Sequence, residues 1–473
     1  MKHPMIIQGG MGAGVSNWKL AKAVSRAGYL GVVSGTALDQ IFARKLQTGD
    51  PEGVLRKAMK HFPDQEMTQK IMETFFIPDG KPETQPFKTT QAISIHPDRL
   101  TQELLMVANF SEVFLAKEGH EGIIGINLLE KIPCPNLYSL YGAMLAGVDY
   151  VIMGAGIPRD IPGILDRLAF HQNVSLKIPV DGSAPGDDCR AQFDPGSFFL
   201  KKPPVLKRPE FLCIISSAEL AKMMFRKASG KVNGFIVEDP SAGGHNAPPR
   251  GQLKLNEKGE PVYGQRDVVN LETIKSIGLP FWLAGSYGSP KKLKSALAEG
   301  AQGIQVGTAF AFSKESGFSE NLKNEIVQKI TQGNLSVYTD PKASPTGFPF
   351  KILLLEGSLS EAERYHKRKR VCDLGYLRHP YKKPNGLIGY RCPSEQEDAY
   401  IKKYGKLEDT RGKKCLCNAL LANIGLAQIR KSGYMEEVLV TLGDDLQPVS
   451  NILKNGSTSY SAQDVLNYLL KDL

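Results

Sequence analysis

Two short runs near residue 300 hold the residue types that bind an anion. PFWLAGSYGS ends at Ser289, and GIQVGTAF runs from Gly303 to Phe310, with one helical stretch between them. Glycine lets a backbone approach phosphate oxygens closely, and a threonine hydroxyl adds a donor. Gly285, Ser286, Gly288, Gly307 and Thr308 therefore form a candidate phosphate shell, the alternative being tight turns. A third run, VEDPSAGGHNAPPRG, places His245 on a loop of glycines and prolines, where an imidazole can serve proton transfer near neutrality. Glu238 and Asp239 stand just before it, either to orient the imidazole or to cap the loop. A fourth run, MIIQGGMGAG, sets Gly9, Gly10, Met11 and Gly12 after an apolar stretch. Its spacing does not match the G-x-G-x-x-G of dinucleotide folds, which leaves backbone amides and a thioether to face a flat ring system, or a plain turn.

Such loops need a scaffold. Over the first 310 residues the chain repeats a short apolar run, a glycine turn and a helical stretch, the pattern of β/α units with a parallel sheet. Eight runs read as strands: Met5 to Gln8, Gly31 to Ser34, Ile123 to Asn127, Tyr150 to Met153, Val174 to Ile178, Gly234 to Glu238, Phe281 to Ala284 and Gly303 to Val306. Eight predict a closed α/β (β/α)₈ TIM barrel. Its site belongs at the carboxyl ends of the strands, with a phosphate after strands seven and eight. Helices are expected over Trp18 to Ala27, Ser139 to Ala146, Ala218 to Ala228 and Pro290 to Glu299.

The barrel is expected to occupy residues 1–340, with insertions at about 50–120 and 181–209. The second of these follows a strand and is a candidate lid. Residues 341–473 read as a mainly helical appendage, with helices near Leu359 to Lys369 and Ala419 to Lys431. It carries Cys372, Cys392, Cys415 and Cys417, whose C-x19-C-x22-C-x-C spacing lacks the paired knuckles of ordinary zinc sites. No metal is assigned to them on that spacing, and a zinc or iron–sulfur site stays open as the alternative to structural thiols.

Composition narrows the classes. The 473 residues carry a formal charge of +10, but lysine and arginine are scattered and no nucleic-acid module accompanies them, which argues against nucleic-acid binding. The charge would suit an acidic carrier protein. No signal-peptide layout or long apolar run appears, so a cytoplasmic protein that neither spans nor needs a membrane is expected. Seven cysteines, an odd number, argue for reduced thiols.

Taken together, MIIQGGMGAGVS, the AGGH loop and LAGSYGS…GAQGIQVGTAFA resemble the FMN-dependent nitronate monooxygenases over roughly residues 4–315. More distantly they are similar to the FMN-dependent enoyl-acyl-carrier-protein reductases. The resemblance implies an FMN across the barrel mouth. Its phosphate would lie at Gly285, Ser286, Gly307 and Thr308, with further contacts at Gly10, Met11, Asn127, Lys177 and Gln305. It also implies a catalytic His245 that removes the proton next to a nitro group and helps hold the nitronate, with O₂ oxidation to a carbonyl compound and nitrite. The reductase alternative implies NAD(P)H, an enoyl thioester and an acyl carrier protein as partner. A flavin-free barrel with a metal- or partner-binding C-terminal unit is the third reading. The long first insertion, the proline-rich strand-six loop and the C-terminal extension depart from the monooxygenase pattern and put the substrate, more than the cofactor, in doubt.

Overall fold

The computed structural model describes residues 3–199, 204–453 and 457–473. Eight parallel strands form its centre: β1 (Ile6–Gln8), β2 (Gly31–Ser34), β3 (Ile124–Leu129), β4 (Tyr150–Gly154), β5 (Glu210–Ile215), β6 (Gly234–Glu238), β7 (Phe281–Ala284) and β8 (Gly303–Val306). From β2 onward each pairs with the next, and β8 pairs with β1. The remaining seam, β1 to β2, is closed by a parallel bridge from Ile7 to Leu30. There Gln8 N donates to Leu30 O at 3.0 Å, and Val32 N donates to Gln8 Oε1 at 2.9 Å. The centre is thus a TIM barrel, as the β/α alternation predicts.

The strands are apolar on both faces because one face fills the barrel and the other meets helices. Ile7, Leu30, Val32, Tyr150, Ile152, Leu212, Ile236 and Trp282 pack as a separate interior core. Trp282 Nε1 donates to Pro4 O at 2.7 Å, which satisfies the indole at the amino end of the barrel. The expected helices form at Trp18–Arg26, Asn136–Leu145, Ala218–Lys227 and Pro290–Ala298. Ser217 and Ser289 cap the last two, their side chains accepting from Leu220 N and Lys292 N.

The fifth strand is where the expectation fails. Val174–Lys177 is a strand, but it pairs antiparallel with Arg190–Phe193 in a hairpin outside the barrel. The true fifth strand, Glu210–Ile215, sits between β4 and β6. The run EFLCII supplies five apolar residues in succession and suits a site buried on both faces. Val174–Lys177 has Ser175 and exposed Lys177 on its other face and suits an external hairpin.

The first insertion holds helices at Val54–Met59 and Gln65–Phe75, then Arg99–Lys117, a largely buried 19-residue helix packed on Asn136–Leu145. The regular elements of the C-terminal region are mostly short helices, with strands among them. It contains two antiparallel hairpins, Ser336–Asp340 with Phe350–Leu354 and His379–Lys382 with Ile388–Arg391, the first straddling position 340. Its helices are short: Ala362–Lys367 and Leu416–Ala422 are the structured parts of the two expected ones. This region is fastened to the barrel and to the first insertion. Arg44 Nη1 donates to Leu426 O at 2.6 Å, and Gln428 exchanges two hydrogen bonds with the Phe87 backbone, at 2.8 and 3.0 Å. Among the described residues no helix is long and apolar enough to cross a membrane.

Candidate active site

A cavity opens at the carboxyl ends of the strands. Gly10, Met11, Asn127, Gln305, Glu238 and His245 line it, together with Gly285, Ser286, Gly288, Gly307 and Thr308. The four candidate runs therefore converge on one space. Lys177 is the exception: it stands exposed on the external hairpin and lines a different surface cleft with Arg190 and Asp194. At the fifth strand the cavity wall is Ile214 instead.

Ser16 shapes the turn after β1. Its Oγ donates to Gly9 O at 2.8 Å and accepts from Met11 N and Gln8 Nε2, each at 2.9 Å. Gly10 has to be glycine for a steric reason: a Cβ there would stand 2.4 Å from Asn127 Cβ. That close approach lets Asn127 Nδ2 donate to Gly10 O at 3.0 Å, while Asn127 Oδ1 is buried with no partner. A buried acceptor left unpaired costs roughly 1–3 kcal/mol, so Oδ1 is suited to accept from a ligand N–H in the cavity.

The opposite wall is made by the turns after β7 and β8. Gly285 has φ +91°, and a Cβ there would lie 2.8 Å from Asp239 Cβ; Ser286 follows with φ +54°. Consecutive left-handed residues turn the chain sharply at the strand end. At Gly307 the surroundings are open, and the nearest atom to an added Cβ would be Met11 Sδ at 3.4 Å. The lack of a side chain there keeps cavity space free between the two glycine turns.

His245 is fixed through backbone and ring. Its segment bridges Phe350, with Lys351 N donating to Gly244 O at 2.9 Å and Asn246 N to Pro349 O at 3.0 Å. The ring packs edge-on against Phe350, and Nε2 lies 2.7 Å from Ser344 Oγ. Burial, then the nearby Lys131 ammonium, lower its pKa to about 4. The imidazole is therefore held neutral at physiological pH. Glu238 goes the opposite way: burial, then repulsion from Asp239, push its carboxyl up to about 8. Neither acidic residue orients the histidine. Asp239 caps its own loop, its Oδ1 accepting from Ser241 N at 2.9 Å.

The cover comes from an unexpected quarter. No described residue of 181–209 lines the cavity, so the described part of that segment does not act as a lid. Leu420, Asn423, Thr441, Leu442, Gly443 and Pro448 line it instead. Thr441 Oγ1 accepts from Gly244 N at 2.9 Å, and Asp444 N donates to Ser241 O at 3.0 Å. Buried Lys351 bridges Thr339 Oγ1 and the Asp444 carboxylate, each at 2.7 Å. These residues carry no local sequence signal, since their role arises from contacts across some 200 positions.

Fold and cavity thus define a TIM barrel with a glycine-walled mouth site closed by its own C-terminal segment. Residues 207–339, from just before β5 into the strand after β8, match the nitronate monooxygenase family. Over 140 residues the chain is 26% identical to (3aS,4S,5R,7aS)-5-hydroxy-7a-methyl-1-oxo-octahydro-1H-indene-4-carboxyl-CoA dehydrogenase of Rhodococcus jostii (strain RHA1), covering 30% of this chain and 34% of that one. Over 93 residues it is 29% identical to a probable nitronate monooxygenase of Staphylococcus haemolyticus (strain JCSC1435), covering 20% of this chain and 25% of that one. The matched segments span only about a quarter to a third of these relatives. The fold is similar to that of FabK from Thermotoga maritima, with a TM-score of 0.50 at 15% identity over 100% of this chain and 92% of that one.

Proposed function

We propose that the chain is an FMN-dependent oxidoreductase that oxidises alkyl nitronates with O₂ to carbonyl compounds and nitrite. The observation that carries the cofactor assignment is the pairing of Asn127 Oδ1, a buried acceptor without a partner, with the glycine turns of β7 and β8 in one cavity. A ring N–H suits the first, and a phosphate suits the second. Gly285, Ser286, Gly307 and Thr308 would hold the phosphate, with Gly10, Met11, Asn127 and Gln305 around the ring system. When bound, FMN supplies the redox chemistry of the site, and the protein supplies position and electrostatics.

The chain's own groups favour an anionic substrate. His245 is neutral and can share a hydrogen bond, and the Lys131 charge near it favours a nitronate oxygen. With a pKa of about 4, His245 is a weak base toward a neutral nitroalkane, so the preformed nitronate is the better substrate. Leu442, Gly443 and Pro448 cover the mouth and limit the entry of water.

A second reading rests on Glu238. A carboxyl titrating at about 8 keeps its proton at neutral pH and can donate it, as reduction of an enoyl thioester requires at the α-carbon after hydride addition. That reading needs NAD(P)H and gives the basic surface an acidic acyl carrier as partner. Anaerobic mixing separates the two: bleaching of bound flavin by ethyl nitronate and not by NADH supports the monooxygenase, and bleaching by NADH supports the reductase.

A further inference from the structure

Four of the seven cysteines meet in one place outside the mouth. Cys372 lies after the helix Ala362–Lys367, Cys392 directly follows the strand Ile388–Arg391, and Cys415 and Cys417 flank the start of the helix Leu416–Ala422. Three chain segments thus converge, and all four residues line a single small cavity with Leu377 and Leu416. Each of the four thiols is an electrostatic neighbour of the other three. The remaining cysteines, Cys134, Cys189 and Cys213, do not line this cavity.

Around one zinc ion, four sulfurs bound at about 2.3 Å would lie about 3.8 Å apart. Among the described residues no set of His, Cys, Asp or Glu closes to the geometry of a single ion. The four cysteines share the lining of one small cavity. Charges of both signs stand at the cavity, Arg378 and Glu395 lining it and Arg368 lying close behind. Arg368 is buried and bidentate to Glu436 at 2.7 and 2.9 Å, yet its Nη1 has no partner, and its guanidinium is an electrostatic neighbour of Cys415. Gly375 N donates to Cys372 Sγ at 3.3 Å, a contact that stabilises a thiolate.

We propose that Cys372, Cys392, Cys415 and Cys417 ligate a [4Fe–4S] cluster. On assembly from two ferrous ions, two ferric ions and four sulfides, four cysteine S–H bonds break, four Fe–S(Cys) bonds form, and four protons pass to solvent, with no net change of oxidation state. The site does not depend on the function assigned to the mouth, but it is connected to it. The helix Leu416–Ala422 begins at the cysteines, while Leu420 and Asn423 at its far end line the mouth cavity. Seven residues of helix span about 10 Å.

The test is anaerobic reconstitution of the full chain with equal amounts of ferrous and ferric iron, and sulfide. Protein-bound iron and acid-labile sulfide are then measured, and an electron paramagnetic resonance spectrum is taken after dithionite reduction. The expected result is about four irons and four sulfides per chain, with a signal from the reduced cluster. Cys372→Ser and Cys417→Ser should lower bound sulfide several-fold, whereas Cys189→Ser, on the external hairpin, should leave it unchanged. A folded wild-type chain that takes up zinc or iron without sulfide, or no metal, overturns the proposal, as does full sulfide in both cluster variants. If either variant fails to fold, the sulfide-to-iron ratio and the spectrum of the wild type still decide.

Discussion

Gly443 donates its backbone N–H to Thr308 Oγ1 at 3.0 Å, joining the C-terminal segment to the first residue after the β8 turn. A hydroxyl that accepts this bond keeps its own hydrogen for a phosphate oxygen. Thr308→Val keeps the shape and removes both contacts. Loss of about 1 kcal/mol per hydrogen bond predicts FMN affinity weakened by roughly five- to thirtyfold, read by fluorescence titration of the apoprotein. Unchanged affinity would mean that Thr308 serves only the cover.

The two glycine turns should respond differently to a side chain. Gly307 has a negative φ and room for a methyl, so Gly307→Leu should fold normally and fill the cavity. FMN co-purification should then fall to near zero with little change in melting temperature. Gly285 has φ +91° and faces Asp239, so Gly285→Ala should destabilise the fold itself by about 1–3 kcal/mol. Denaturant titration and flavin content together separate the two effects.

Stability should depend on pH through two opposed groups. His245 titrates at about 4 in the fold against 6.5 ordinarily, so below 6.5 the unfolded chain binds a proton that the folded chain refuses. Its contribution is lost as pH falls from 6.5 toward 4. Glu238 titrates at about 8 against 4.5, so the folded chain retains a proton that the unfolded chain releases. Its contribution is lost as pH rises from 4.5 to 8. The two oppose each other up to about pH 6.5, and above that only Glu238 of this pair contributes. The urea midpoint should therefore decline between pH 6.5 and 8 in the wild type, and Glu238→Gln should flatten that decline.

His245→Ala should retain FMN, because the ring is held by Ser344 and Phe350 on the cover side of the cavity. Turnover of neutral nitroalkanes should fall by about a hundredfold or more, and that of preformed nitronates by less. Equal, undiminished rates on both forms would remove the imidazole from the chemistry.

Much of the barrel can be read directly from the chain. β2, β6, β7 and β8 have the ends that their apolar runs predict, because glycine turns bound them closely. From these followed the positions of Gly285, Gly307 and His245 at the mouth. The fifth strand was misassigned although the chain carried the cue: EFLCII is apolar at five successive positions, whereas Val174–Lys177 alternates with Ser175 and Lys177. Lys177 fell with that choice. The cover was hidden for a different reason: Thr441, Leu442 and Gly443 occupy irregular chain with no period, and their place depends on Gly244, Ser241 and Thr308 far earlier in sequence. Cys372, Cys392, Cys415 and Cys417 were visible as residues, but their spacing matches no short motif and only the fold brings them together.

The most direct test is an absorption spectrum of the purified chain, taken anaerobically before and after NADH and then after ethyl nitronate. The proposed function predicts a bound flavin that NADH leaves oxidised and ethyl nitronate bleaches, with nitrite released when O₂ is admitted. A flavin that stays oxidised with nitronate, or a folded chain that binds no flavin at all, would contradict it.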